Sequence, residues 1–377
     1  MATKVENLKD HDGKMTFTIS NVDVSYVNAL RRIILSEIPT IVFKTNPHEQ
    51  NKSKIMVNTS RLHNEIIKQR LSCIPICISA FSDENYKNYL LDIDVENNTD
   101  TNMIVTTEDF KILDKTTNTY LDHSKVKKIF PPFIPPTGNG EYYIDFLRLR
   151  PKLSDELPGE RIKLTCEFSK GTAKEDTAFN VVGTCSYGYT PDYSKMEEQL
   201  EIRKQKWKDQ GKKDNEIKYE AANWKLLEGM RYVIKNSFDF ILETVGIYDN
   251  DKLLIESCKI LINKFEDLQS LIDKDELIIK PSENTLENSY DVILENEDYT
   301  IGNILNYELY KTFYNELKLI NYVGFKKIHP HDTESILRVS ITDSQKGISS
   351  LKTILKSVIE EANKNLINIK GRFDGSR

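Results

Sequence analysis

The groups in this chain best suited to chemistry are few. Lys170-Gly171-Thr172-Ala173-Lys174 sets a glycine between lysines in a loop, a segment of the kind that can cradle a phosphate. The spacing of a P-loop is absent, however, and no strand-to-helix step follows Lys174. Cys73, Cys77, Cys166, Cys185 and Cys258 are an odd number of cysteines in a large chain, which suits reduced thiols better than a disulfide framework. Arg31 and Arg32 stand side by side in a helical pattern, where they either form a solvated face or meet a partner. Trp207 and Trp224, among the many Lys and Glu of residues 195–230, allow the same two readings: a solvated helix pair, or a docking site anchored on tryptophan. None of this amounts to a catalytic constellation, so function has to be sought in the elements that carry these residues.

Composition bounds the answer. With 377 residues, two or three domains are expected, and 39% apolar with 29% charged residues is ordinary for a soluble globular chain. No run approaches a membrane span and no signal-peptide pattern opens the chain, so a cytosolic or nuclear protein is expected. The net charge of -6 argues against a chain whose main task is gripping phosphate backbone.

The element that organises the chain is written twice. Asn21-Val22-Asp23-Val24-Ser25-Tyr26-Val27-Asn28-Ala29-Leu30 lies without a gap over Asn296-Glu297-Asp298-Tyr299-Thr300-Ile301-Gly302-Asn303-Ile304-Leu305. Upstream, Met15, Phe17 and Ile19 alternate with polar residues, and the same offset brings Tyr290, Val292 and Leu294 to the apolar positions, so each copy reads as a half-buried strand turning into a helix. Asp23 or Ser25 in one copy, and Asp298 or Thr300 in the other, can cap the helix. Val27, Leu30, Ile34 and Ile38 form one apolar stripe, ended by Pro39; Ile301, Ile304, Leu305 and Leu309 form the other. Two equivalent copies in one chain predict a pseudo-twofold pair packed face to face.

Along the chain, 54–58 predicts a strand and 63–71 a short helix with Ile66, Ile67 and Leu71 as its apolar positions. Short alternating runs with proline-rich turns over 79–160 predict a mainly β insertion. Residues 162–168 and 181–187 read as strands. Leu254, Cys258, Leu261, Phe265, Leu268 and Ile272 step by four and three as a coiled-coil-like seam. Ile348, Leu351, Leu355, Val358, Ala362 and Ile369, with Leu366 beside them, form one face of a closing helix. The expected fold is α+β: a first dimerisation module in two parts (1–78 and 161–272) around the inserted domain, a linker (273–288) and a second module (289–377). Leu30, Ile34, Leu254, Cys258, Leu261, Phe265, Leu268, Gly302, Asn303, Leu305, Leu351, Leu355 and Val358 are the expected intramolecular seam.

Several of these segments resemble a known family. Phe17 to Phe43, with N-A-L-R-R at its centre, is similar to the alpha-motif of the bacterial RNA polymerase α subunit, the archaeal D subunit and the third-largest subunit of eukaryotic RNA polymerase II. Gln69-Arg70-Leu71-Ser72-Cys73-Ile74-Pro75 resembles that family's R-L-G-L-I-P segment, with Ser72 where glycine is usual. Lys170-Gly171 through Glu175 resembles its K-G-x-x-K-E turn. Glu295 to Leu309 is similar to the E-x-E-D-H-T-L-G-N-x-L signature of the eleventh, L-type subunit, and Tyr322 to His331 resembles its G-Y-x-x-x-H-P segment.

The resemblance implies a natural fusion of two α-like subunits into one intramolecular pseudo-dimer, which serves as the platform on which two large catalytic subunits assemble, with a small polymerase subunit as a further partner. A free-standing scaffold made from a duplicated α-like module is the alternative. Catalysis is assigned to partners, since no D-F-D-G-D-like cluster for magnesium is present. Relatives' cysteine clusters have no counterpart in residues 78–165, so no metal or other cofactor is expected. The chain is expected to touch DNA only through the complex, to bind no membrane and to form no homo-oligomer. The resemblance carries a large-subunit contact onto Asn28, Arg31, Arg32 and Glu37. Asn306 and Tyr307 stand where the first copy has Arg31 and Arg32, so each half could choose a different large subunit. The fusion and an Asn-, Lys- and Ile-rich composition suggest a large DNA virus, hence a cytoplasmic viral factory and the virion, or the nucleus for a cellular chain.

Overall fold

The computed structural model describes residues 3–81, 85–152, 154, 158–283, 286–342 and 347–374. The chain opens with β1 (Lys4–His11), β2 (Lys14–Ser20), α1 (Val24–Ser36), β3 (Thr40–Val42), β4 (Ser53–Asn58) and α2 (Asn64–Ser72). It continues through β5 (Tyr89–Glu96), β6 (Met103–Thr106), β7 (Lys111–Asp114), β8 (Thr119–Tyr120), α3 (His123–Ile129), β9 (Asp145–Leu149), β10 (Arg161–Glu167) and β11 (Ser169–Gly171). Then come β12 (Val182–Pro191), α4 (Tyr193–Asp209), α5 (Asp214–Leu226), β13 (Val233–Thr244) and α6 (Asn250–Asp273). The chain closes with β14 (Ile279–Pro281), β15 (Ser289–Glu295), α7 (Tyr299–Glu308), β16 (Ile320–Lys326), β17 (Glu334–Ile341) and α8 (Gly347–Lys370).

Both copies of the duplicated stretch fold the same way for the same local reasons. After β2 and after β15 the backbone turns at an asparagine with positive φ, Asn21 at 60° and Asn296 at 57°. Asparagine tolerates that left-handed conformation better than most residues. Two residues on, an aspartate caps the helix. Asp23 Oδ1 accepts from the Ser25 amide, and Asp298 Oδ1 accepts from the Thr300 amide, both at 2.9 Å. Of the candidates for each cap, the aspartate is therefore the one that acts in both copies.

The equivalence extends to the sheets. One has the strand order β1-β2-β13-β12 and the other β14-β15-β17-β16. Each duplicated strand is an inner strand between an edge strand and the strand that leads into a 24-residue helix, β13 into α6 and β17 into α8. The 273–288 segment, expected to be a linker, supplies β14, which pairs antiparallel with β15. Edge pairing through backbone groups leaves little side-chain pattern to read in a three-residue strand, which is why its sequence looks like a connection.

The long helices supply the apolar mass. Leu254, Cys258, Leu261, Phe265, Leu268 and Ile272 of α6 are buried, as are Leu351, Leu355, Val358, Ala362, Leu366 and Ile369 of α8. The two helices pack on each other and run antiparallel, since Asp273 and Asp275 at the end of α6 pair with Lys356 and Lys352 near the start of α8. Ile348, placed on this stripe by its spacing, is instead 37% exposed in the first turn of α8. Beyond α8, Phe373 packs edge-on against Phe17, which stacks on Phe240.

The chain divides into two compact units. One comprises the residues up to Ile33, Thr184–Glu243 and Asn250 onward; the other comprises Ile34–Gly183 and Thr244–Asp249. Both sheets just described, with α6, α7 and α8, lie in the first unit. The second unit is larger than the expected 79–160 insertion. Its antiparallel sheet has the order β4-β10-β5-β7-β8, so β4 and β10, assigned from sequence to the dimerisation module, flank and extend the inserted strands. Alternation marks a strand as half-buried without saying which sheet it joins. Phe43, Phe110, Phe130, Phe146 and Phe168 form its aromatic centre. Arg70 of α2 donates to the carbonyls of Asp145 and Phe146 at 2.7 and 2.5 Å. Ile66, expected on the apolar side of α2, is exposed, while Ile67 and Leu71 are buried.

Residues 195–230 do form a helix pair, α4 and α5. Trp224 is buried with Met196, Leu200 and Ala221, and Trp207 packs against the same cluster half-buried. The tryptophans thus hold the pair together and are not exposed docking anchors. Lys170, expected in a loop, lies in β11 opposite Ile41, and its Nζ donates to the Ala80 carbonyl at 2.6 Å, a structural use of the lysine.

Leu261 has no exposed surface, so Leu261→Asp places a charge where no partner waits, at a cost of several kcal/mol, roughly 3–5. The expected outcome is loss of soluble folded protein, measured by circular dichroism melting and soluble yield. A variant melting with the parent would contradict the α6–α8 packing.

Candidate functional site

A constant offset of 275 residues takes Asn21 to Asn296, Asp23 to Asp298, Ser25 to Thr300 and Arg32 to Tyr307. When two copies of one helix meet around a twofold axis, whatever residue i does to residue j must be repeated by the copies of i and j. The structure shows this relation between α1 and α7. Arg32 of α1 donates from Nε to Thr300 Oγ1 at 2.8 Å and pairs through Nη2 with the Asp298 carboxylate. It therefore reaches the two residues that open α7. In the reciprocal place Tyr307 of α7 lies near Asp23, and the two line a common cleft with Ser25. The Tyr307 hydroxyl is pushed up to about 12, first by burial and then by the nearby Asp23 and Glu308 carboxylates.

Arg32 is therefore bound within the molecule. The resemblance places it, with Arg31, on a large-subunit face; here its guanidinium is engaged by the second copy, with 34% of the side chain still exposed. Adjacent residues on a helix point about 100° apart, so the two arginines separate. Arg31 turns the other way, half-buried, and donates from Nε to Asn28 Oδ1 at 3.1 Å. Glu37 belongs to the second unit, where its carboxylate stands 4.0 Å from Lys174 Nζ. Of the residues expected to meet a large subunit, Asn28 and Arg31 lie together on α1.

Burial pushes the Asp298 carboxyl up, but hydrogen bonds from the Thr300 amide and hydroxyl, together with the Arg32 guanidinium, outweigh it. The net is below the ordinary carboxylate range. A second polar contact lies on the same helix pair. Tyr26 donates to Glu308 Oε1 at 2.7 Å, and Asn365 Nδ2 of α8 donates to Tyr26 Oη at 3.1 Å and to Glu308 Oε1 at 3.0 Å. Burial raises Glu308 above its ordinary value against the lowering effect of Tyr26 and Lys311. Burial first, and then Glu308, hold the Tyr26 hydroxyl well above its own.

The expected seam residues are gathered as follows. Leu30, Ile34, Leu305 and the positions on α6 and α8 are all buried. The division between units falls after Ile33, so Ile34 counts with the second unit. Asn303 is half-buried and lines the same cleft as Asn28, its counterpart in the first copy. Gly302 is buried for a steric reason: a Cβ there would come 2.1 Å from the Phe325 ring. Tyr26, Glu308 and Asn365 escaped sequence reading, since polar residues on an apolar stripe carry no pairing signal. Arg32 with Asp298 could have been found, because the duplicated cap is visible and an isologous pair must bring one copy's third turn to the other's cap. Among the described residues no group of three or more His, Cys, Asp or Glu is arranged to hold a metal ion.

A duplicated α+β module whose copies interlock through each other's helices is a dimerisation platform folded from a single chain. The chain belongs to the family of the RNA polymerase Rpb3/Rpb11 dimerisation domain. Residues 16–265 match one model of that description and residues 289–367 match a second. It is an α-like RNA polymerase subunit in kind, with two such domains in tandem. Among its relatives is the Arabidopsis thaliana DNA-directed RNA polymerases IV and V subunit 3B, 29% identical over 52% of this chain and 59% of that protein. The human DNA-directed RNA polymerases I and III subunit RPAC1 is 26% identical over 69% of this chain and 82% of the relative. A Tetrahymena thermophila conjugation stage-specific protein is 29% identical over 48% and 57%. The chain thus spans less than two thirds of the Arabidopsis and Tetrahymena proteins.

Two predictions follow from the polar contacts. Arg32→Ala should lower stability by about 1–2 kcal/mol, in the lower range for charge-assisted bonds because both side chains keep about a third of their surface exposed. Since the Asp298 value is depressed, that contribution is complete above the ordinary carboxylate range and is lost as pH falls through the folded value. Urea melts of parent and variant should therefore converge in acid; a constant gap would dissociate Arg32 from Asp298. Glu308 has the opposite sign. Its carboxyl holds a proton more tightly folded than unfolded, so its contribution is complete in acid and lost as pH rises toward the raised value. Glu308→Gln keeps an oxygen for Tyr26 and should gain on the parent as pH is raised from about 4 to about 7; parallel curves would show that Glu308 does not titrate in this range.

Proposed function

We propose that this chain is the non-catalytic assembly-platform subunit of a multisubunit DNA-dependent RNA polymerase, with both α-like partners carried on one polypeptide. The observation that carries the reading is the reciprocal use of α1 and α7. Two family matches, at 16–265 and 289–367, each contain one copy, and the two copies meet where Arg32 of α1 engages Asp298 and Thr300 at the start of α7. In this reading the two large catalytic subunits and a small subunit are the partners, and nucleotidyl transfer with its metal ions belongs to them. DNA is met only through the complex, and the chain needs no cofactor of its own.

The helix pair has already used Arg32 and the apolar stripe, so a partner must be met by what remains. Asn28 and Arg31 on α1 support such a face, and Glu37 supports a second contact on the other unit. Asn306 and Tyr307 replace the two arginines in α7, so the faces offered by the two copies differ in charge and the two large subunits can be told apart.

A tagged chain purified from its native source should bring down two very large polypeptides in equal amounts, and the isolated chain should sediment as a monomer. Recovery of the chain without large partners would favour a free-standing scaffold, and a symmetric homodimer at low micromolar concentration would overturn the pseudo-dimer reading. Arg31→Ala removes one hydrogen bond, to Asn28, from a half-buried side chain and should cost only about 0.5–1.5 kcal/mol of stability while reducing recovery of a large chain. Undiminished recovery would remove Arg31 from the contact.

A further inference from the structure

The pseudo-twofold relation provides two versions of one polar site, one filled and one not. At the start of α7, Arg32 occupies Asp298 and Thr300. At the start of α1 the same two positions are Asp23 and Ser25, and the residue that should fill them is Tyr307. Among the described residues no cation pairs with Asp23. Ser25 is 8% exposed, and its Oγ has no hydrogen-bond partner, although its counterpart Thr300 Oγ1 accepts from Arg32. Asn306, beside Tyr307, also has a buried Oδ1 without a partner. Asp23, Ser25 and Asn306 all line one cleft of about 290 Å³ walled by Tyr187 and Tyr310, with the Ser25 and Asn306 oxygens at its buried margin.

Buried acceptors without donors are costly, and such groups in a native protein call for a donor from elsewhere. The cleft offers a carboxylate, a hydroxyl and an amide oxygen as acceptors, with aromatic rings to either side. A guanidinium fits this chemistry, since it carries five donors in a plane and stacks on aromatic faces. The positive end of a helix dipole would repel a cation at either site. The filled version shows that an aspartate cap overcomes this. Arg31 lies close enough to Tyr187 to influence it and opposes a second cation at the rim, so a lone arginine would bind weakly.

We propose that this cleft at the start of α1 receives an arginine side chain from a partner subunit, completing from outside the contact that Arg32 makes from within. The identity of the partner as a polymerase subunit rests on the function proposed above, and Asn28, which lines the cleft, is shared with the large-subunit face suggested there. The guanidinium site itself does not depend on that reading.

The test uses the full chain, isotopically labelled, titrated with a capped Gly-Arg-Gly peptide and followed by amide resonances of Ser25 and Asn306. Saturable shifts are expected, at least about tenfold weaker with Gly-Lys-Gly, because an ammonium cannot bridge the separate acceptors as a planar fork does. Asp23→Asn, which keeps a capping side chain, should weaken binding by about tenfold or more. Tyr307→Arg should abolish it by filling the cleft from α7. Ser25→Ala, which leaves the cap untouched, should weaken it as well and serves if Asp23→Asn is poorly folded. Absence of saturable shifts, or equal affinity of parent and folded variants, would overturn the proposal. In the assembled complex, Asp23→Asn should reduce retention of one large chain by about tenfold or more, as loss of an interface arginine contact does. Failure of the parent chain to recover large partners would count against the polymerase reading alone, because the peptide measurement stands without it.

Discussion

Two copies of one helix packed around a twofold axis cannot choose their contacts independently. The third turn of each must lie over the first turn of the other, and the first turn of each carries an aspartate because the strand-to-helix step needs a cap. A capped helix start sets a carboxylate against the positive end of the helix dipole, leaving its remaining acceptor capacity to be met by other groups. In this protein one copy answers it with Arg32 and the other with Tyr307. The pairing is thus symmetric in backbone and asymmetric in charge, and the rest of the first unit is consistent with that compromise.

The apolar seam and the polar contacts divide the work. α6 and α8 bury long aliphatic stripes and Phe265, and burial of this kind is non-directional. Sliding one helix by a turn along the other would keep much of the apolar area. Between α6 and α8 the pairs Asp273 with Lys356 and Asp275 with Lys352 tie one end, and the placement of α1 against α7 and α8 is fixed by Tyr26 with Glu308 and Asn365 and by Arg32 with Asp298 and Thr300. A buried carboxylate held above its ordinary value adds little stability by itself, and its use here is better understood as fixing one arrangement among several.

The second unit shows how the module accommodates a large addition. In the second copy the chain passes from α7 through a π-helical turn, Leu309–Glu316, into β16. In the first copy the corresponding step from α1 to β12 contains nearly all of the second unit's Ile34–Gly183 segment. That segment brings its own sheet and aromatic centre, so its folding energy need not be drawn from the module it interrupts.

Much of this was legible in the amino-acid sequence because it rests on local rules. The repeated strand and helix, the candidate caps at their starts and the four-three stepping of α6 depend on residues a few positions apart, and their periodicities can be read directly. The pairing of like modules followed from the repeat itself. Tertiary structure alone decided three matters. It assigned β4 and β10 to the inserted sheet, because alternation is the same whichever neighbour a strand takes. It put Trp207 and Trp224 inside their helix pair, because a large apolar ring satisfies a small core as well as an interface. And it turned Arg32 inward while leaving Arg31 beside Asn28, since two adjacent arginines are distinguished by 100° of helix and by what lies opposite, and the latter is set by residues some 270 positions away.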